Sequence, residues 1–310
     1  MRAIRVHQFG GPEVMKLQQL EAPTPAEGQV AVRVAAAGVG PWDAWIRGGR
    51  SVLPQPLPLT PGADLSGVVQ AVGPGVHNFK VGDQVFGVTN VRFTDAYAEL
   101  ALASSAMLAK KPTNLDHIQA ASVPVIAVTA WQMLFEHAAL RAGQTVLVHG
   151  GAGNVGAYAV QLARLRGVRV VATASRDDLS EVARLGADQT VDDRAVRFED
   201  VVGPVDAVID TVGGELMQRS FAVLKRGGVL VTAVSQPDQK LATKHGVRAL
   251  FILVRVTSEA LGELSPLFAS GKLEVRVGTV LPLSDAVLAH QMLEGTRPKV
   301  GGKIVLKVSA

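Results

Sequence analysis

Apolar and polar residues alternate through the first third of the chain. Val30-Ala-Val-Arg-Val-Ala-Ala and Ser66-Gly-Val-Val-Gln-Ala-Val read as strands, and Met1-Arg-Ala-Ile-Arg-Val alternates in the same way. Glycine and proline break the runs at Glu21-Ala-Pro-Thr-Pro, at residues 54–61, at Gly73-Pro-Gly and at Val81-Gly-Asp. The texture changes near Leu115. Thr145-Val-Leu-Val-His predicts a strand, and residues 155–166 place Val155, Ala159 and Leu162 on one helical face. Further strands are predicted at Val168-Arg-Val-Val-Ala-Thr, Val205-Asp-Ala-Val-Ile-Asp and Gly228-Val-Leu-Val-Thr-Ala-Val, with helices at 179–185 and 215–224. This alternation predicts parallel β-α-β units with right-handed crossovers. A last helix at 263–270 precedes a strand-like tail, clearest at Lys303-Ile-Val-Leu-Lys-Val, which is expected to return to the first domain. The expected fold class is α/β: a discontinuous β-rich domain of residues 1–123 and 260–310, with a doubly wound domain, 124–259, inserted in it. Residues 238–248 are polar and basic before the apolar run Ala249-Leu-Phe-Ile-Leu-Val, and read either as a lid or as an exposed loop before a strand.

Composition narrows the chemistry. The 310 residues suit two domains, and 48% hydrophobic against 19% charged residues suits a large core. The absence of cysteine excludes disulfides, thiolate zinc sites and cysteine nucleophiles. A net charge of +4 with scattered Lys and Arg gives no concentrated basic face, so no nucleic-acid partner is expected. The uncharged stretch 118–135 contains Gln119, Ser122, Pro124, Thr129 and Gln132, and reads as a buried helix rather than a membrane span. The N-terminal alternation lacks the apolar centre of a signal peptide, so a cytoplasmic protein is expected. His7, His77 and His290 show no metal-like spacing and read as surface or satisfied core residues.

The sharpest motif is Gly150-Gly-Ala-Gly153-Asn-Val-Gly156, between a predicted strand and a predicted helix. That context is what a dinucleotide fingerprint requires. Glycines allow a tight turn and backbone approach to a pyrophosphate, and the helix N-terminus adds partial positive charge. NAD sites usually carry an acidic residue roughly 20 residues later, at the end of the second strand. Here that strand ends Ala172-Thr-Ala-Ser175-Arg176, so Arg176 and Ser175 point to the 2′-phosphate of NADPH. The competing reading makes Arg176 a solvated loop residue, with Asp177 or Asp178 serving NAD.

Taken together, these segments resemble the medium-chain dehydrogenase/reductase superfamily, and within it the zinc-free quinone oxidoreductase branch. The resemblance covers essentially the whole chain. It is carried by Ala36-Ala-Gly-Val-Gly-Pro-Trp-Asp, Pro61-Gly-Ala-Asp-Leu-Ser-Gly-Val-Val, Val81-Gly-Asp-Gln-Val-Phe-Gly, Ala96-Tyr-Ala-Glu, Ala121-Ser-Val-Pro, Thr129-Ala-Trp, the glycine loop, Leu185-Gly-Ala-Asp and Gly302-Lys-Ile-Val-Leu. It implies a GroES-like catalytic domain plus a Rossmann domain, with the active site in the cleft. The positions of the catalytic metal ligands in zinc-dependent members fall at Gly40, Ala63 and Val125, which cannot bind a metal, and the proton-relay position falls at Trp42. No metal is therefore expected.

Without a metal to polarise a carbonyl, the acceptor must be activated by its own electronics, as quinones, enones and enals are. The resemblance further implies nicotinamide contacts from Thr129 and from backbone around Val234, completing a cofactor set of Gly150, Gly153, Asn154, Val155, Gly156, Ser175 and Arg176. Gly40, Pro41, Trp42 and Trp45 are candidates for the substrate pocket, with core packing the competing role of the tryptophans. Asp43 is expected to brace its turn rather than donate protons, and Tyr97 to pack, so no catalytic acid is assigned. A homodimer is expected, joined along a sheet edge near Val229 and Val234. The alternatives are a non-catalytic NADPH binder, acting as a redox sensor or structural protein, and a zinc alcohol dehydrogenase, which the missing ligands oppose.

Overall fold

The computed structural model describes residues 1–308. They divide into two compact units, Met1–Val125 with the chain from Val256 onward, and Ile126–Arg255.

In the first unit, the strands of the main sheet follow the order Val277–Pro282, Lys303–Lys307, Gln29–Val39, Asp64–Val72, Gln84–Val88 and Leu108–Lys110, and Leu100–Ser104 also pairs with Gln29–Val39. The returning tail is thus threaded beside the longest strand, with Ile304 opposite Val39 and Leu306 opposite Ala37. A period of two sends Val30, Val32 and Val34 to one face. There they join Leu65, Tyr97, Ile304 and Leu306 in one core, under Ala286 and Ala289 of the helix Ala286–Leu293.

The second unit is a six-stranded parallel sheet covered by helices, as the α/β expectation required. In space its strands run Gln189–Asp192, Arg169–Ala174, Thr145–His149, Val205–Asp210, Leu224–Thr232, Arg248–Phe251. Chain order therefore proceeds outward from Thr145–His149 in one direction, then restarts on its other side at Val205–Asp210. Such a reversal opens a crevice at the carboxyl ends of the two central strands. Val146, Leu147 and Val148 have 0% exposure, because both faces of a parallel sheet are covered.

Four local expectations change. Residues 118–135 form not one helix but His117–Ala121, Pro124–Trp131 and a π-helical turn, Gln132–His137. Pro124 lacks an N–H and disfavours helix at the preceding residue, so it starts a new helix instead of continuing the old one. Residues 238–248 are not a loop: the Asp238 carboxylate accepts from the Lys240 and Leu241 amides at 2.8 and 3.1 Å and starts a helix, Gln239–His245, which ends at left-handed Gly246. The 263–270 helix starts earlier, as Ser258–Ala269, because the Thr257 hydroxyl caps the Ala260 amide. Finally, the sheet edge is not near Val229 and Val234. Leu224–Thr232 is paired on both sides, and Arg248–Phe251 takes the edge. No described helix is long and apolar enough to cross a membrane.

Candidate functional site

The glycine loop leaves the strand Thr145–His149 and enters the helix Asn154–Leu165. Each glycine has a separate steric reason. Gly150 has φ +73°, which L side chains rarely adopt. A Cβ on Gly151 would lie 3.0 Å from both Ala172 Cβ and Val182 Cγ1, and one on Gly153 would lie 3.1 Å from the Gly150 carbonyl oxygen. One on Gly156 would overlap that same oxygen. The loop folds back on itself through Gly153 N–H to Gly150 O at 2.8 Å, and is tied to the next strand through Gly151 N–H to Thr173 O at 2.8 Å. Asn154, Val155 and Gly156 occupy the first helical turn, where amides have no intrahelical acceptor. The result is a tight glycine turn that ends at a helix N-terminus with free amides, an arrangement that fits a pyrophosphate.

Ser175 and Arg176 follow the adjacent strand, Arg169–Ala174, so they stand beside the loop as the spacing predicts. Arg176 is exposed, and the Ser175 hydroxyl donates to the Asp178 carboxylate at 2.6 Å. Val234 lies just past Leu224–Thr232, where its amide donates to Thr232 Oγ1 at 3.1 Å. Thr129 is buried in the helix Pro124–Trp131 of the same unit.

Polar groups absent from the sequence reading hold these strand ends. Asp210 accepts from the Val212 and Gly213 amides at 3.1 and 2.8 Å and from the Thr232 hydroxyl at 2.7 Å. His149, fully buried, links Thr173 Oγ1 at 3.1 Å to Ser220 Oγ at 2.8 Å. Ser220 donates to Leu216 O, so its oxygen accepts from His149 Nε2–H, and Nδ1 accepts from Thr173. Both nitrogens are satisfied in the neutral ring, and burial pushes the His149 pKa down to about 4. Thr173 Oγ1 in turn accepts the Gly150 amide at 3.3 Å, so this internal row positions the first glycine.

The other candidates lie on the first unit's short helix Pro41–Arg47. Gly40 is buried, Pro41 exposed and Trp42 half-buried, while Trp45 is 46% exposed and so is not a core residue. Gly40 N–H donates to Asp43 Oδ2 at 2.8 Å, the bracing role expected of Asp43. The same oxygen accepts from Tyr97 Oη at 3.0 Å. Burial pushes the Asp43 carboxyl up to about 7, against the Gly40 amide and the Lys303 charge, and Oδ1 has no partner. His290 is a satisfied core residue: its Nδ1 accepts from Arg47 at 2.8 Å, and burial with that cation holds its pKa at about 3. Beside this cluster lies an ion pair no sequence pattern announced, Lys303 Nζ to Asp64 Oδ2 at 2.9 Å, with both side chains buried. Asp64 Oδ1 accepts the Val125 amide at 2.9 Å. Thus Gly40 and Val125, two of the positions aligned with metal ligands, offer only amides to carboxylates. Among the described residues no group of three or more His, Cys, Asp or Glu could hold a metal ion.

Comparison with known proteins agrees with this architecture. Residues 26–113 match the alcohol dehydrogenase GroES-like domain, and residues 185–306 match the zinc-binding dehydrogenase family. The quinone oxidoreductase of Sus scrofa is 33% identical over 99% of this chain and 98% of its own length. The chloroplastic NADPH-dependent alkenal/one oxidoreductase of Arabidopsis thaliana is 34% identical over 99% of this chain and 79% of its own. The structure of the quinone oxidoreductase from Coxiella burnetii superposes with a TM-score of 0.92 at 35% identity, covering 100% of this chain and 99% of that one. With its glycine loop, its doubly wound sheet and this end-to-end likeness, the chain belongs to the quinone oxidoreductase family of medium-chain dehydrogenases/reductases.

Proposed function

We propose that this chain uses NADPH to reduce quinones or α,β-unsaturated carbonyls without a zinc ion. The observation that carries this is the glycine loop, packed on itself around the Gly150 carbonyl at Gly153 and Gly156, which leads directly into the N-terminus of the helix Asn154–Leu165. NADPH, when bound, supplies the hydride. The amides of Asn154, Val155 and Gly156 hold the diphosphate at the helix N-terminus. Arg176 pairs with the 2′-phosphate, and Ser175 shapes the turn beneath it by donating its hydroxyl proton to the Asp178 carboxylate. That hydrogen bond engages Asp178, one of the two carboxylates, with Asp177, that an NAD site could use for ribose. Thr129 and the Val234 backbone orient the nicotinamide, the latter fixed by Thr232 and Asp210.

Gly40, Pro41, Trp42 and Trp45 form the acceptor's surroundings. Gly40, Ala63 and Val125 have no side chain able to ligate a metal, so the acceptor must itself delocalise the charge that hydride brings. Quinones and enones do so; a plain alcohol or ketone does not. Asp43 braces the Gly40 turn. Two copies pair along the edge strand Arg248–Phe251, whose unpaired backbone would otherwise invite association; light scattering that finds only monomer removes this part.

Coenzyme choice tests the cofactor assignment. A charge-assisted contact to phosphate contributes about 1.5–3 kcal/mol. Arg176→Ala should therefore lower the NADPH-over-NADH ratio of kcat/KM by roughly 10- to 100-fold. An unchanged ratio would refute the role of Arg176.

A further inference from the structure

Several structural costs meet at one side chain, the Trp42 indole. Phe93, which packs edge-on against it with ring centroids 6.3 Å apart, has φ +62°. A non-glycine residue in that left-handed region is strained and persists only where its surroundings insist. Lys303 places its ammonium 4.3 Å from the centre of the Trp42 ring, although its side chain is only 1% exposed. Burying a lysine is costly even when it is paired, here with Asp64 at 2.9 Å, and an apolar pair of similar volume would often serve stability as well. The indole Nε1 is itself buried without a partner. Beneath the ring, position 40 is glycine for a steric reason, since a Cβ there would overlap the benzo edge of Trp42. Features that each weaken the fold, gathered on one half-buried aromatic ring, point to a task beyond packing.

We propose that Lys303 is a positioning residue for the acceptor: anchored by Asp64, its buried ammonium pins the Trp42 indole over Gly40 as a fixed wall, which makes Trp42 the residue that selects narrow ring acceptors over wide ones. This rests on the reading of Trp42 as part of the acceptor's surroundings. A cation held at a ring face fixes the ring's position as well as attracting it. Asp64 keeps the ammonium in place, and the Val125 amide keeps Asp64 in place. A purely structural role would instead make Lys303 a tie between the strands Lys303–Lys307 and Asp64–Val72, with no bearing on acceptor size.

The test compares NADPH turnover with 1,4-benzoquinone, 1,4-naphthoquinone and 9,10-phenanthrenequinone in the wild type, Lys303→Met, Lys303→Arg and Trp42→Ala. Trp42→Ala should raise the three-ring to one-ring ratio of kcat/KM about 10-fold or more, the scale on which an apolar wall discriminates. Lys303→Met should shift the ratio the same way, mainly through KM, and Lys303→Arg should restore most of the wild-type ratio. If Lys303→Met does not fold, Trp42→Ala leaves the ion pair intact and still decides whether the ring selects. An unchanged ratio in a variant that turns over and binds NADPH overturns the proposal while sparing the assigned activity. Wild-type turnover of an enone but of none of the three quinones overturns the proposal alone, and absence of turnover with quinones and enones alike overturns both.

Discussion

Gly156→Ala should weaken NADPH binding by up to roughly 100-fold while leaving the protein folded. The new Cβ would overlap the Gly150 carbonyl oxygen, a backbone atom that cannot rotate away. Relief requires the loop to move outward, carrying its amides off the pyrophosphate. Overpacking of this kind costs about 1–3 kcal/mol. At the upper end this corresponds to roughly 100-fold in Kd. Titration of NADPH fluorescence measures it directly. An alanine variant that binds as tightly as the wild type would mean that the loop is only a turn between a strand and a helix.

Asp43→Asn should make the protein more stable at pH 8 and not at pH 4. Burial raises the carboxyl from 3.8 to about 7, so the folded state holds a proton that the unfolded state releases. The stability contributed by that proton is full below the unfolded value and is lost as pH rises through about 7. Above that, ionised Asp43 destabilises the fold by about 4 kcal/mol. Asparagine still accepts from Gly40 and Tyr97 but places its NH2 where Oδ1 has no partner, which costs about 1–3 kcal/mol. The net gain at pH 8 should be about 2 kcal/mol. His149 and His290 act oppositely: their depressed values cost stability as pH falls below 6.5, but equally in both proteins, so they cancel. Urea unfolding at the two pH values decides, and equal stabilities of variant and wild type at pH 8 would show that Asp43 is ionised without penalty.

The features legible in the sequence are those set by local sterics. The glycine loop is readable because each glycine answers to an atom within the loop or in the neighbouring strand. The parallel sheet is readable because its strands are apolar on both faces. The position of Ser175 and Arg176, at the end of the strand paired with Thr145–His149, is readable because the apolar run Val168-Arg-Val-Val-Ala-Thr marks that strand. Long-range polar contacts are not. Asp64 and Lys303 are 239 positions apart, Arg47 and His290 243, and His149 and Ser220 71. Nor does alternation help: Lys303 and Lys307 share a strand face by parity, yet Lys303 is buried and Lys307 exposed. Both stand at ends of the strand, and what distinguishes Lys303 is the buried Asp64 carboxylate 2.9 Å from its ammonium. The edge was misplaced for a related reason. Val229 and Val234 are as apolar as Ala249-Leu-Phe, and composition does not say which run closes the sheet.

Hydride transfer from NADPH to acceptors that delocalise charge, at a site with no metal-binding side chains at Gly40, Ala63 and Val125, is the property to be tested. Its most direct measurement is NADPH oxidation by chelator-treated protein against a panel of quinones, enones, simple ketones and aldehydes. The expected result is turnover with quinones or enones, none with simple carbonyl compounds, and no gain on adding zinc. Tight NADPH binding with no turnover of any acceptor, or activity that returns only with stoichiometric zinc, would contradict it.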